Sequence, residues 1–472
     1  MNKRRLTFLY ILFDVLAAIA TWVLFFIYRK YNVDHTLFSH FAESIFDDPK
    51  FYMGIIFLPI YWLLLHTFVG YYKHVYRKSR LKELGTTLTI TAIGVLLFFF
   101  VFILDDIVNS YVDYIKYFFF LFSAQFLLTY IPRLIITTSI IKKIQKGIIG
   151  FNTLIIGSDA VAMNTFHSVL AQHSYAGNYI IGYVSVPEEE DHTLAQELPC
   201  LGTLDNLQDI INEKNIEELI IAIHNGKRKY VETIITMTRG MNVNLKLIPQ
   251  QQDYLLGVVK TSAVQHVPLI SINPEYLPEW QKYIKRGMDI LLSVIAMILL
   301  LPIYIFLAIG VKLSSKGPIF YKQERIGYRG KPFMIYKFRS MVVNAEADGP
   351  QLSSKTDERI TSFGKFMRKS RLDETPQFFN VLIGDMSLVG PRPERQYYID
   401  KIIEKAPYYK LLLNVKPGIT SWGQVKFGYA ENIDEMIERL RWDILYIENT
   451  SLQMDLKILI YTALIVLKRS GK

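Results

Sequence analysis

Asp373 and Glu374 stand side by side in the last third of the chain, after the basic residues Lys369 and Arg371 and before Pro376, a residue suited to the first turn of a helix. Adjacent carboxylates with arginines nearby can hold Mg²⁺ and attack a phosphoryl group. Hard cations take oxygen ligands and often complete their shell with substrate phosphates. The same pair suits a plain structural role, since acids near a helix N-terminus are favoured by capping and by the macrodipole. Elimination narrows the chemistry. No histidine or cysteine follows His266, which excludes a Ser/His triad, a thiol nucleophile and a histidine-ligated metal from this part of the chain. Carboxylates, lysines and arginines are left. They cluster in Gln323-Glu324-Arg325-Ile326-Gly327, Lys337-Phe338-Arg339-Ser340-Met341 and Gly390-Pro391-Arg392-Pro393. An arginine between two prolines sits on a stiff backbone and can grip phosphate bidentately with little ordering cost. Arg339 and Arg392 read as phosphate ligands, and Arg371 suits either a phosphate or the surface. Lys312, Lys316 and Lys331 read as decoration of a membrane-facing surface.

The elements that must position these groups follow from composition. The chain has 472 residues, 51% hydrophobic and only 20% charged, which excludes a disordered protein and is too apolar for a wholly soluble one. Its single cysteine, Cys200, excludes an internal disulfide framework and a thiolate metal cluster. Residues 281–472 hold 30 basic against 19 acidic residues, so the overall charge of +10 belongs to this region, where phosphates are the natural partners. Leu6 to Tyr28, Phe51 to Val69, Leu88 to Leu104 and Val112 to Thr137 approach the ~20 apolar residues a membrane-spanning helix needs. The first is too long for a signal-peptide core and lacks a cleavage site. Lys3, Arg4 and Arg5 precede the first span, Lys73, Arg77, Lys78, Arg80 and Lys82 follow the second, and Lys142, Lys143 and Lys146 follow the fourth. Asp34, Glu43, Asp47, Asp48, Asp105 and Asp106 fill the opposite loops, with Arg29 and Lys30 the exception, so both ends of the bundle face the cytoplasm. Asp14, inside the first span, reads as a helix-packing residue, because lone intramembrane acids face bundle interiors.

From Asn152 the pattern changes to short β-rich runs, Thr153 to Ile156, Tyr179 to Val186, Glu218 to Ile223 and Val243 to Ile248, separated by amphipathic segments. This pattern predicts a Rossmann-like α/β fold with a parallel sheet. Its first turn, Gly157-Ser158-Asp159-Ala160-Val161-Ala162, puts Asp159 where a dinucleotide fold has its second glycine, and that carboxylate would face a pyrophosphate. No intact cofactor-binding motif is present. Residues 249–280, with Pro249, Pro268, Pro274 and Pro278, read as irregular. Met288 to Val311 is long enough to span, yet Lys282, Lys285 and Arg286 precede it and Lys312, Lys316 and Lys322 follow it. Both ends therefore want the same side of the membrane. Pro302 disfavours helical geometry at Leu301, so the expected form is a re-entrant helix-break-helix, with a kinked fifth span as the alternative.

With Pro302 in its apolar hairpin, the ordered motifs of residues 285–468 are Gly317-Pro318, Gln323-Glu324-Arg325, Lys337-Phe338-Arg339-Ser340-Met341, Asp357-Glu358-Arg359-Ile360-Thr361, Leu372-Asp373-Glu374, Gly384-Asp385-Met386-Ser387-Leu388-Val389-Gly390-Pro391-Arg392-Pro393 and Pro417-Gly418-Ile419-Thr420. This run resembles the bacterial polyprenyl-phosphate hexose-1-phosphate transferases. With four spans and a degenerate α/β region, the whole chain is similar to the large members, the undecaprenyl-phosphate glucose or galactose phosphotransferases. The resemblance implies that Asp373 attacks the β-phosphorus of a UDP-sugar and releases UMP. Undecaprenyl phosphate then takes the phosphosugar from the aspartate. It further implies Glu374 as a Mg²⁺ ligand, Arg339, Arg392 and Lys337 as phosphate contacts, and a homodimer. The implied task is the first membrane step of exopolysaccharide, capsule or O-antigen synthesis, at the bacterial cytoplasmic (inner) membrane. Thr375 departs from the family's usual leucine, and Ser421-Trp422-Gly423-Gln424 alters a common stretch, but neither change touches a proposed catalytic group. Glucose is the first expectation for the sugar and galactose the second.

The expected architecture is a membrane α-helical bundle of four spans over residues 1–147, a Rossmann-like α/β cytosolic domain over 148–265, a linker over 266–281 and an α+β catalytic domain over 282–472. A re-entrant membrane helix broken near Pro302 opens the last domain, whose working face is cytosolic. Two other function classes compete: a membrane-bound NAD-dependent sugar-nucleotide enzyme built on the α/β domain, and a non-catalytic scaffold for polysaccharide assembly. Four spans and the lack of a binding motif argue against nucleic acid as a partner.

Overall fold

A computed structural model describes residues 3–34, 45–73, 75–76, 78–103, 111–171, 177–189, 191–227, 229–238, 241, 243–250, 253, 269–272, 277–343, 345, 349, 351, 357–428 and 430–467. Arg77, Glu43, Asp105, Asp106, Pro268, Pro274 and residues 266–268 and 273–276 of the expected linker lie outside the described residues. The chain forms two compact units, Met1–Asn152 with Thr165–Ile180, and Thr153–Asn164 with Ile181–Lys472.

Among the described residues of the first unit, four helices are long and apolar enough to cross a membrane: Arg4–Tyr31, Pro49–Phe68, Arg80–Phe102 and Tyr111–Gln145. The third begins at Arg80 rather than at Leu88, because some polar side chains of its first turns face the bundle interior. Glu83, Thr87 and Thr91 are buried there. Asp14 lies in the bundle interior, as its sequence position suggests. Its two oxygens accept hydrogen bonds from Nε (2.9 Å) and Nη2 (2.7 Å) of Arg133, and Oδ2 also accepts one from the Tyr72 hydroxyl at 2.7 Å. Arg133 is fully buried; its Nη1 donates to Thr87 Oγ1 at 3.2 Å, and its guanidinium lies 3.7 Å from the centre of the Tyr71 ring. His66 Nε2 stands 3.9 Å from Asp14 Oδ2. All four spans thus contribute to one polar cluster, which an apolar solvent favours because no water is available to satisfy these groups.

In the second unit, a six-stranded sheet runs in the order β3-β2-β1-β4-β5-β6. Its strands are β1 (Phe151–Ile156), β2 (Asn178–Ser185), β3 (Cys200–Thr203), β4 (Glu218–Ile221), β5 (Asn244–Leu247) and β6 (Ile270–Ile272). The pairs β1/β4, β4/β5 and β2/β3 are parallel and β5/β6 is antiparallel. Leu154, Ile156, Val184, Leu219 and Ile221 are its fully buried centre, as continuous β-branched and leucine runs dictate for a sheet covered on both faces. Gly157 follows β1 with φ +124, and a Cβ there would collide with the Ala222 carbonyl. Asp159 Oδ1 accepts from the amides of Val161 (3.0 Å) and Ala162 (3.1 Å). The chain's own carboxylate therefore occupies the helix N-terminus where a pyrophosphate would bind.

The C-terminal part of this unit opens with helices Glu279–Leu299 and Leu301–Ser314, bent by 62° at their junction. Pro302 sits in the first turn of the second arm, where its missing N–H costs little. Leu291, Ile295, Ile298, Leu299, Leu301, Ile305, Phe306, Ile309 and Leu313 are exposed along this bent helix pair. The polar start of the first arm is fastened to the rest of the unit. Lys285 Nζ reaches Asp455 Oδ2 (2.6 Å) and the Val389 carbonyl (2.9 Å), Arg286 donates to the carbonyls of Val381 (2.6 Å) and Leu382 (2.9 Å), and Asp289 Oδ1 accepts from the Leu388 amide (3.0 Å). An antiparallel ribbon follows, β7 (Phe320–Ile326) with β8 (Pro332–Phe338), and a short parallel pair, β9 (Ser387–Val389) with β10 (Gly418–Thr420). Helices Gln396–Lys405, Ile433–Glu448 and Leu452–Leu467 close a core that includes Val381, Leu388, Tyr398, Trp422, Leu440 and Ile447.

Candidate active site

Helix Ser362–Ser370 is capped by Thr361, whose Oγ1 accepts from the Gly364 amide at 2.9 Å, and it ends at Arg371 in the left-handed region (φ 57, ψ 20). A non-glycine residue held there is strained, a condition that gathers at functional sites. The reversal delivers the 3₁₀ turn Leu372–Glu374, after which Pro376 takes the N-cap of helix Gln377–Ile383 without a side-chain cap. Glu374 does not serve that helix as a cap. Its Oε1 accepts from Lys337 Nζ at 2.6 Å and from Arg392 Nη2 at 3.0 Å. Both carboxylates are buried, at 7% exposure each.

These neighbours split the two acids. Burial first, and the Glu374 charge second, push Asp373 up to about 6, against the offsetting pull of Lys337 and Arg368. Burial alone would also raise Glu374, but the Lys337 and Arg392 cations outweigh it and hold this carboxyl well below its ordinary range. Burial lowers Lys337, with the Glu374 charge opposing. One acid is thus a fixed anion in a cationic clamp, and its neighbour is a buried carboxylate of raised basicity. Such divergence marks paired carboxylates with separate tasks.

The structure brings together Asp373, Glu374, Lys337 and Arg392, and Arg371 adjoins them through the backbone. Arg339 turns elsewhere. Its Nη2 donates to the carbonyls of Ser315 (2.6 Å) and Val311 (3.4 Å) at the end of helix Leu301–Ser314, while its Nε and Nη1 are buried without an acceptor among the described residues. Gly317, at φ +137, leaves room for that guanidinium, which a Cβ would strike. Arg325 is a strut: Nη1 reaches Glu394 Oε2 at 3.2 Å and Nη2 reaches Gln323 Oε1 at 2.8 Å. Glu394 Oε1 also accepts from Arg439 Nη2 at 2.6 Å, and the Glu394 carbonyl accepts from the Ile326 amide at 3.0 Å. This fastens the Pro391-Arg392-Pro393 segment, to which Gly418 donates through its amide at the Pro391 carbonyl (2.9 Å). Glu394 and Arg439 escape a motif reading. A signal exists for Arg439, because it and Asp443 fall on the buried stripe Met436, Leu440 and Ile447 of their helix.

Among the described residues, no three His, Cys, Asp or Glu side chains gather as a metal cage. Two adjacent carboxylates with hard oxygens nevertheless fit a Mg²⁺ that arrives on a diphosphate, which needs only one or two protein ligands.

Residues 280–469 match the family described as bacterial sugar transferase, and residues 67–249 match one described as CoA-binding domain. A UDP-glucose:undecaprenyl-phosphate glucose-1-phosphate transferase of Xanthomonas campestris pv. campestris is 35% identical over 335 residues, 68% of each chain. A UDP-N-acetylgalactosamine-undecaprenyl-phosphate N-acetylgalactosaminephosphotransferase of Aeromonas hydrophila is 42% identical over 224 residues, 48% of this chain and 52% of its own length. An undecaprenyl-phosphate galactose phosphotransferase of Salmonella typhimurium is 38% identical over 220 residues, 43% of this chain and 45% of its own length. The chain thus spans about half the length of these last two relatives. Together with the motifs and the clamp around Glu374, these matches establish that the chain belongs to the bacterial sugar transferases, the polyprenyl-phosphate hexose-1-phosphate transferase family, and is an enzyme of the transferase class.

Proposed function

We propose that the protein transfers a hexose-1-phosphate from a UDP-sugar to undecaprenyl phosphate and releases UMP. The observation that carries this reading is the buried Asp373 of raised basicity beside a Glu374 clamped by Lys337 and Arg392. An Asp373 oxygen attacks the β-phosphorus, a new P–O bond forms, and the bond to the bridging oxygen breaks so that UMP leaves with the electron pair. An oxygen of the lipid phosphate then attacks the same phosphorus and frees the aspartate. Covalent catalysis divides one difficult transfer into two easier ones. Lys337, Arg392 and Arg371 steady phosphate oxygens. Glu374 is the residue to hold Mg²⁺, which supplies charge neutralisation at the diphosphate when bound.

The bent apolar hairpin enters one leaflet and returns, so that a soluble sugar nucleotide and an interfacial lipid phosphate meet at one site. The basic flanks of the spans support a catalytic region on the cytosolic side of the bacterial inner membrane. Glucose is the preferred sugar in this reading and galactose the second choice, within the first membrane step of a surface polysaccharide. The test is UMP release by membranes carrying the full chain, with UDP-glucose, UDP-galactose and UDP-N-acetylgalactosamine, with and without undecaprenyl phosphate and Mg²⁺. Sustained release that needs the lipid acceptor is expected; absence of release from every sugar overturns the reading.

The pH profile carries its own prediction. Asp373 attacks as the anion, so kcat/KM should fall about tenfold per pH unit below about 6. An acid limb near pH 4, ordinary for a solvated carboxylate, would contradict that assignment.

A further inference from the structure

We infer that Tyr304, on the second arm of the apolar hairpin, is a positioning residue that sets the placement of the nucleophile's turn; this rests on the reading of Asp373 above. Its hydroxyl donates to the Thr375 carbonyl at 3.0 Å, one residue beyond Glu374. That carbonyl also receives the Phe378 amide at 3.2 Å, so Tyr304 reinforces the joint between the acid turn and the helix that follows. The same ring meets Phe338 edge-on, with centroids 5.6 Å apart, and Phe338 adjoins Lys337 on β8. Leu372, Leu307, Val311, Met367 and Phe338 pack with it in one apolar cluster. At the far end of the arm, Arg339 holds the carbonyls of Val311 and Ser315.

One helix therefore touches both the strand that carries Lys337 and the turn that carries Asp373 and Glu374. The arm is otherwise an apolar rod whose outward residues, such as Ile305 and Ile309, are exposed. Its hydroxyl contact is what gives the rod a directional hold on the turn, because apolar packing restrains position but not orientation. Misplacing a reacting group by a fraction of an ångström costs far more in rate than in binding, since the substrate is held by other residues.

The experiment compares full-length wild type, Tyr304→Phe, Ile305→Ala and Asp373→Asn in the same membranes, by UMP release against UDP-sugar concentration. Tyr304→Phe should lower kcat about tenfold with KM for the sugar nucleotide within about twofold. Ile305→Ala should keep wild-type kcat. Wild-type kcat in Tyr304→Phe overturns the inference. So does a loss explained wholly by less folded protein, with kcat per folded molecule unchanged. Activity in Asp373→Asn overturns the nucleophile reading instead, which separates the two failures.

Discussion

Asp373→Asn is expected to lower UMP release at least about a thousandfold while leaving the protein as stable as the wild type or more so. The two halves of this expectation come from one cause. Burial and the Glu374 charge raise Asp373 to about 6, so above that pH the folded state holds a carboxylate it disfavours. A group whose folded value is raised above its unfolded one opposes folding wherever the unfolded chain is ionised and the folded one is penalised. Asparagine removes the charge and the penalty, and thermal unfolding at pH 7.5 should show an equal or higher midpoint. Glu374→Gln should behave oppositely. It leaves Lys337 and Arg392 facing each other without their counter-charge, so stability falls along with activity. Equal destabilisation by both changes would mean that the two acids share one structural task.

Arg133→Met is expected to destabilise the four-helix bundle by about 3–5 kcal/mol, because removal of one partner leaves Asp14 as an uncompensated buried charge. Asp14 would retain the Tyr72 hydroxyl but lose two charge-assisted hydrogen bonds. The double change Asp14→Leu with Arg133→Met should recover much of the loss, since an apolar pair suits the same interior. Unfolding of the purified full chain in nanodiscs, followed by tryptophan fluorescence, reads both. A single mutant as stable as wild type would show that the ion pair contributes nothing to holding the spans together.

Parts of this architecture are legible without coordinates, and the reasons are physical. Apolar length announces the four spans, and β-branched runs announce the α/β sheet, because each is dictated by local solvent preference. Asp159 could be seen in advance to oppose a pyrophosphate, since the first turn of such a fold is set by a few consecutive residues; its carboxylate indeed caps the helix. The acid pair was visible as chemistry beside a capping role, whereas the engagement of Glu374 by Lys337 and Arg392, far off in sequence, was not. What stays hidden is pairing across distance. Arg133 lies within the fourth apolar span, and only the approach of the first span makes it the partner of Asp14. Arg339 and Arg392 look alike in their motifs, but the turn after β8 sends one to helix carbonyls and the other to Glu374. Tyr304 carries no motif at all, and only the fold brings its hydroxyl to the Thr375 carbonyl.

The covalent step on Asp373 can be observed directly. The full-length protein is incubated with the UDP-sugar and Mg²⁺ in the absence of polyprenyl phosphate, quenched in acid, digested and examined by mass spectrometry for the peptide that contains Asp373. The account predicts a hexose-phosphate adduct on Asp373 that disappears when undecaprenyl phosphate is added before the quench. Turnover with no adduct on that peptide, or an adduct on another residue, would contradict it.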